Sequence, residues 1–487
     1  LAGTALAESK PGALELSYRS AIERSLAKNF QIQVEKYNPK IAVAKTTSAA
    51  GQFDPVIGAS ITYDENRRSL RSLDSSDDGT ANSSDSGDFA SSSGVEGQAT
   101  VSGLTPWGLT YSVGPSLTRS TNSQSGVDEV YNAFLGGSIT QPLLKGFGTD
   151  VNLAQIRIAR ADQAISVWGL RQRVMDVVTD TINVYNDLYF AIENLEVERR
   201  SLNLAKQTLH DNQRRAEIGV MSPLDIVQAQ ADEADREGRV ITAERTVADT
   251  KNFLKQLVTD QVESVLETDV AITPPPFDLQ FRTDEENDLK RVFDLRPDYR
   301  QALLDIQKRN INVVFTRNQT YPQLDLVASL GLNGIDTNAA SSIARIGKPS
   351  EIAGTVGGVF SLPVPNRTAR GNLEVANLEV ARQLVALKQL EQTIYVTVDN
   401  AAGQISTTRK LIDVSRAARE YAARTLEAAQ ARLTSGTATT FEVLQFQRDL
   451  ATAETNEVRA LTAHQKAIAA YALVTGTTLE RNRIKLD

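Results

Sequence analysis

Apolar positions along this chain follow two different periods, and each period comes round twice. Residues about 13–50 place Ile22, Leu26, Ile32 and Val34 at helical spacing, with Pro39 expected to kink or break the helix. At 56–63 the period drops to two: Ile57, Ala59, Ile61 and Tyr63 alternate with Val56, Gly58, Ser60 and Thr62. A Ser/Asp/Gly-rich stretch at about 64–94 is too polar to bury and reads as a solvated loop. Three more alternating runs follow, at about 95–103, 109–117 and 131–140. The turn Thr105-Pro106-Trp107-Gly108 joins the first two, and a polar loop at about 119–129 separates the last two. Alternation alone also fits a soluble sandwich. One face here is small and polar, however, and the loops are long at one end and short at the other, as in strands lying between lipid and water.

From about 150 to 218 the helical period is nearly unbroken. Roughly 69 residues at ~1.5 Å each make a rod of roughly 100 Å. Val178, Ile182, Tyr185, Tyr189 and Ile192 follow the 4-3-4-3 spacing of a coiled-coil seam. A return helix over about 223–262 is only half as long, and Thr273-Pro274-Pro275-Pro276 closes the segment after it. The second half repeats the plan. A helix at about 284–319, broken near Pro297, precedes a strand in which Leu324, Leu326, Ala328, Leu330 and Leu332 share a face. A polar loop (about 334–350), a strand carrying Val356, Gly358, Phe360 and Leu362, and a second rod (about 366–435) follow. Val398, Ala401, Ile405, Ile412, Ala422, Leu426, Ala429 and Leu433 form the seam of that rod, and a half-length return helix occupies about 440–475.

The two rod-to-return junctions align without a gap. Arg215 meets Arg432, Gly219 meets Gly436, Asp225 meets Glu442, Gln228 meets Gln445 and Gln230 meets Gln447. The glycines sit where a helix C-terminus takes a left-handed residue. Ser222-Pro223 reads as an N-cap with a first-turn proline, and Thr439 or Thr440 caps the second copy. The chain therefore holds two related helical hairpins, each with a carboxylate just past its tip. The expected organisation is a leader remnant at 1–7, a first repeat at 8–262 (strands 52–142, long helix 150–218, return helix 223–262) and a linker at 263–283. A second repeat at 284–475 (strands 322–363, long helix 366–435, return helix 440–475) and a tail at 476–487 complete it.

Composition narrows the function. Net charge is −8 with a pI near 5.2, which argues against nucleic acid. Cysteine is absent, which excludes disulfides, thiol catalysis and thiolate metal sites. Two histidines, His210 and His464, argue against a histidine-based metal site and read as helix-surface residues. No run of about 18 apolar residues is present, so no transmembrane helix is expected. Ala5-Leu6-Ala7 has the form of a secretory cleavage site, which places the mature start at Glu8; an ordinary terminus is the alternative. No nucleophile–base pair, phosphate loop or metal spacing stands out, so neither catalysis nor a cofactor is expected.

Length decides the architecture. Each half-length return helix covers the tip half of its rod, and the helices ahead of the strands cover the rest. Four to six strands are too few to close a pore, since single-chain barrels start at about eight, so the chain must oligomerise to remove its edges.

The doubled order of helix, strands, long helix, tip and return helix resembles the TolC family of outer-membrane efflux and secretion channels. So do Gly219-Val220 through Asp225-Ile226-Val227-Gln228-Ala229, their partner Gly436-Thr437 through Glu442-Val443-Leu444, and Gln141-Pro142-Leu143-Leu144. The resemblance implies an α+β membrane protein: a homotrimer with a trans-subunit antiparallel β-barrel in the outer-membrane lipid and a tunnel of coiled helical hairpins across the periplasm. It implies a passive duct of a tripartite efflux or type I secretion system, docked to a periplasmic adaptor coupled to an inner-membrane transporter. Two departures stand out. The first repeat has four strands where the family has two, giving a trimer eighteen rather than twelve; the extra hairpin (about 95–117) joins the barrel or folds over its mouth, and its clean alternation favours the barrel. The family's Tyr and Arg gate clasp falls on Leu433 and Ala438, so it cannot be carried over.

At the tips, Asp225 and Glu442, with Gln228 and Gln445, are the expected gate and selectivity ring. Like charges gathered round a narrow axis attract cations and repel one another. The alternative is that each acid only complements its helix dipole. Gly219, Val220, Met221, Ser222, Gly436, Thr437, Ala438 and Thr439 are the expected adaptor-docking surface. A periplasmic adaptor or coiled-coil scaffold without a pore is the competing reading of the whole chain.

Overall fold

The computed structural model describes residues 14–69, 89–122, 129–219, 222–261, 269–348 and 351–485. The leader reading of 1–7 and the tip residues Val220 and Met221 lie outside them. Along the chain run β1 (Leu14–Leu16), α1 (Tyr18–Lys28), α2 (Phe30–Glu35) and α3 (Tyr37–Ala50). Then come β2 (Val56–Ser69), β3 (Phe89–Leu104), β4 (Thr110–Asn122) and β5 (Val130–Pro142). Next are α4 (Thr149–Asn152), α5 (Ala154–Glu217), α6 (Pro223–Val258), β6 (Val270–Ile272), α7 (Glu285–Leu295) and α8 (Pro297–Asn318). The chain continues through β7 (Gln323–Asp336), α9 (Ala339–Arg345), β8 (Ile352–Ser361), α10 (Arg367–Thr434), α11 (Thr440–Val474) and α12 (Thr478–Arg481). Two compact units result, one of residues 1–41, 164–304 and 385–487, the other of 42–163 and 305–384.

The first unit is helical. Its long helices carry the coiled-coil seams: Val178, Ile182 and Tyr185 on α5, and Val398, Ile405, Ile412, Leu426 and Ala429 on α10, are all buried. Val174, Val177 and Val178 pack on Ile22, Ile32, Ala469 and Leu479. Ile394, Val398 and Ile405 pack on Val292, Ile468 and Tyr471. β1 and β6 form a short parallel pair, and the Tyr185 hydroxyl donates to Thr273 O at 2.6 Å and lies 3.1 Å from Leu16 O, tying the pair to α5. Among the described residues no helix is long and apolar enough to cross a membrane.

The second unit is built on one antiparallel six-stranded sheet in the order β2-β3-β4-β5-β7-β8. The registers align a single apolar face across all six strands. Ile57 lies opposite Val101, Val101 opposite Val113, Val113 opposite Gly137, Gly137 opposite Leu330 and Leu330 opposite Gly354. Tyr111, Ile139, Ala328 and Val356 form a second such row. Ser60, Gln98, Ser116 and Phe134 lie along the opposite face. The extra hairpin, β3–β4, is thus part of the same sheet and carries the same face. Below the strands, Asn318 accepts from Gly146 N at 2.7 Å and donates to Leu144 O at 3.1 Å, which fixes the exit from β5. Lys308–Asp162 and Arg309–Glu379 ion pairs join the helical turns of this unit.

Several expectations change. The helix expected over 13–50 is a strand and three helices. Its breaks fall at Asn29 and Lys36, whereas Pro39 sits in the first turn of α3, where a missing N–H removes no intrahelical bond. β2 and β3 run on into the polar stretch expected to be loop, as far as Ser69 and from Phe89. Backbone pairing satisfies N–H and C=O groups whatever the side chains are, so a polar strand can extend an established ladder. The polar loop at about 334–350 contains α9, started by Asn338 Oδ1 accepting from Ala340 N at 2.8 Å. His464 is not on a surface: it is 1% exposed and lies 3.0 Å from Thr408 Oγ1, because α11 is enclosed by neighbouring helices on this stretch. Burial holds its imidazole below the ordinary pKa.

Candidate functional site

Both hairpin tips belong to the first unit, and both are built by the same local chemistry. At the first, α5 ends at Glu217 and Gly219 takes φ +80°, with its N–H donating to Ala216 O at 2.9 Å. At the second, α10 ends at Thr434 and Gly436 takes φ +74°. Gly436 N donates to Leu433 O at 3.2 Å and Thr437 N to Arg432 O at 2.9 Å, the paired bonds of a Schellman ending. Arg432 Nη2 donates to Thr437 O at 3.0 Å within its own tip.

The return helices open on reciprocal caps. Ser222 Oγ accepts from Leu224 N at 3.2 Å, and Asp225 Oδ2 accepts from Ser222 N at 3.3 Å. Thr439 Oγ1 accepts from Glu442 N at 3.2 Å, and Glu442 Oε2 accepts from Thr439 N at 3.3 Å. Thr439, not Thr440, is the cap. Within the protomer, therefore, the two tip carboxylates stabilise helix starts. Among the described residues no bond brings Asp225 and Glu442 together. Gln228 is exposed, and Gln445 donates to Asp449 at 3.0 Å one turn on. Ser222, Gly436 and Thr437 are exposed and Ala438 half-buried.

Two features escaped the sequence. The first is apolar exposure: Ile218 (74%), Leu224 (63%) and Phe441 (59%) stand out from the tips. Leu224 and Phe441 occupy matching places in the two repeats, a signal that could have been read. The second is a buried charge cluster two turns behind Asp225. Asp232 and Arg236, each 1% exposed, form an ion pair at 2.7 Å on α6. Asp232 also accepts from Arg448 Nε of α11 at 2.8 Å. Arg236 donates to Ser201 Oγ (2.7 Å) and Ser201 O (3.0 Å) of α5, and to Gln447 Oε1 of α11 at 3.3 Å. Gln447 in turn donates to Thr208 of α5 at 3.3 Å. Three helices from both repeats are pinned at one level, and burial outweighs the pairing enough to hold Arg236 below its ordinary pKa.

The family model described as outer membrane efflux protein matches residues 104–259 and 289–477. No curated protein matches the chain by sequence. The fold is similar to that of the Campylobacter jejuni CmeC outer membrane channel, with TM-score 0.69 at 15% identity over 95% of this chain and 86% of that one. It is also similar to the Vibrio cholerae outer membrane protein VceC (TM-score 0.68, 16% identity, 94% and 96% covered). The open-state Neisseria gonorrhoeae MtrE outer membrane channel gives a TM-score of 0.63 at 17% identity, with 95% and 89% covered. These structures share the α+β fold of helical hairpins and sheet, and nothing in them favours an adaptor. By its sequence the chain belongs to the outer membrane efflux protein family.

Proposed function

We propose that three copies of this chain assemble into a passive duct whose helical tips form the gate and dock a periplasmic adaptor coupled to an inner-membrane transporter. The observation that carries the reading is the six-stranded sheet with one continuous apolar face and two free outer strands, β2 and β8. An open sheet of this kind leaves backbone groups unpaired at both edges, which lipid does not tolerate. Pairing β8 of one copy with β2 of the next removes every edge, and six strands from each of three copies make an eighteen-stranded barrel.

In that assembly Asp225 and Glu442 each recur three times around the axis, with Gln228 and Gln445 one turn further on. Their capping bonds use one carboxylate oxygen each and leave the charge in place. The ring attracts cations and its self-repulsion biases the gate toward opening. Gly219, Val220, Met221, Ser222, Gly436, Thr437, Ala438 and Thr439 form the adaptor-docking rim, and the exposed Ile218, Leu224 and Phe441 supply apolar contact area beside it.

Planar-bilayer conductance of the purified protein tests the reading. Discrete, cation-selective steps blocked by a trivalent cation from the tip side are expected, and Asp225→Asn with Glu442→Gln should abolish both selectivity and block. Unchanged selectivity in that double variant would remove the acidic ring. A native mass other than three chains would remove the eighteen-stranded barrel.

A further inference from the structure

The short helix α9 packs on β7 and β5 at the end of the sheet where β7 passes to β8. The parity of β7 fixes which side it covers. Leu330, Leu332, Gly334 and Asp336 share one face, the face of the apolar rows. A Cβ added at Gly334 would run into the Ser342 carbonyl oxygen and come within 3.2 Å of Arg345 Cβ, so the helix rests directly on the strand. Ala133, paired with Gly334, is 1% exposed, and Ser342 is fully buried. Arg345 Nε reaches Asp336 Oδ2 at 2.9 Å.

The same register shows where the apolar face ends. Tyr63, Val95, Arg119, Tyr131 and Asp336 make one row across five strands. Its two charges are both paired, Arg119 with Glu129 and Asp336 with Arg345. Tyrosines beside paired charges are what a boundary between lipid and water selects. Beyond the row the same face of β2 carries Glu65 and Arg67, which pair with each other at 2.8 Å. Helix α9 therefore lies at the boundary level, on the apolar side of the sheet. Its outward residues Ala340, Ile343 and Ala344 are exposed, Ile343 by 52%. It carries no carboxylate, and Asp336 meets the charge of its one basic residue, Arg345, so this side leaves no unmet charge. Directly below it lie Leu135, Leu332 and Ile352, which continue the apolar surface.

We propose that α9 is a membrane-surface helix: it lies on the outside of the barrel wall with Ile343 inserted at the headgroup–acyl boundary of the outer leaflet. A helix with one apolar side is stable at that boundary, where its outward residues meet acyl chains and its ends meet water. The proposal rests on the sheet's lying in lipid, as the duct reading requires.

The chain has no cysteine, so single cysteines can be labelled cleanly. The full chain carrying Ile343→Cys, Leu330→Cys or Ser329→Cys is labelled with bimane and placed in phosphatidylcholine vesicles containing brominated phosphatidylcholine. Six residues at ~3.3 Å, tilted by about 40°, put Leu330 roughly 15 Å below Asp336, near the middle of the apolar band. Bromine near the headgroup should quench the label at 343 about twofold or more better than bromine near the chain ends, with the order reversed at 330. The label at 329, on the opposite face, should be quenched by aqueous iodide and not by bromolipid. Quenching at 330 but not at 343, or quenching at 343 by iodide alone, puts α9 in water and overturns the proposal while leaving the duct reading intact. Quenching at neither 330 nor 343 takes the sheet out of lipid, and both fall. Circular dichroism confirms that each labelled variant retains its fold.

Discussion

The two hairpins begin alike and continue differently. Both turns carry a left-handed glycine and open the return helix on a reciprocal cap, though Ser222 Oγ accepts from Leu224 N and Thr439 Oγ1 from Glu442 N. Beyond the first turn they part. Asp232 on α6 and Asp449 on α11 occupy matching places in the repeat, yet Asp232 is enclosed with Arg236 and Arg448 while Asp449 is exposed and serves Gln445. Val227 is exposed, whereas its counterpart Leu444 is buried. The start of α11 packs on α5 and α10 through Val443, Phe446, Leu204 and Leu426, while the start of α6 leaves Leu224 and Val227 exposed. Local sequence sets how a hairpin turns; neighbours distant in sequence set what its side chains then do.

The largest expected effect separates the two aspartates. Asp232→Ala strands the buried Arg236 and should cost about 3–5 kcal/mol in denaturant unfolding. Asp449→Ala should stay within about 0.5 kcal/mol, and equal losses would erase the distinction. Next come the turns, where the repeats should agree. Gly219→Ala and Gly436→Ala meet no atom near the added methyl, so each should lose only the left-handed strain, about 1–2 kcal/mol. A much larger loss at one would show that the turns are not equivalent. The caps should also agree, with Ser222→Ala and Thr439→Ala each costing about 1 kcal/mol, read as faster amide exchange in the first turns of α6 and α11.

The smallest effect concerns His464, whose counterpart on α6 is Val247, a residue that cannot titrate. Burial depresses the folded pKa of His464, while the unfolded chain takes up its proton near about 6.5. The contribution of this site to stability is present above that value and lost as pH falls from it toward the lower folded value. Wild type should therefore melt at a lower temperature at about pH 5.5 than at about pH 7.5, and His464→Gln should reduce that difference. An unaltered difference would assign the acid sensitivity to other groups.

Much of the fold was legible because two periods carry it. Val178, Ile182 and Tyr185 announce their seam by spacing alone, and Ile57 through Tyr63 announce a strand. Polar extensions of strands were not legible: nothing in Asp64 to Ser69 alternates, and only pairing with Phe89 to Gly94 makes them strand. α9 left a faint mark, the asparagine at 338 that caps it. At the candidate site the turns and caps were readable from Gly219, Ser222, Gly436 and Thr439. The Asp232 cluster was not, since Asp449 is the same letter at the same place. Asp232 is enclosed with Arg236 of its own helix, and contacts from Ser201, Gln447 and Arg448, distant in sequence, complete the cluster.

The added hairpin in the first repeat obeys a parity rule. A chain that leaves its helices, crosses a sheet and returns to helices on the same side must cross an even number of times. The first repeat crosses four times, through β2 to β5, and the second twice, through β7 and β8. Strands can therefore be gained or lost only in pairs if the helical plan is kept. With an even total, the last strand of one copy runs opposite to the first strand of the next, which is the direction an antiparallel seam requires. A sheet built this way changes its width only in discrete steps of one hairpin.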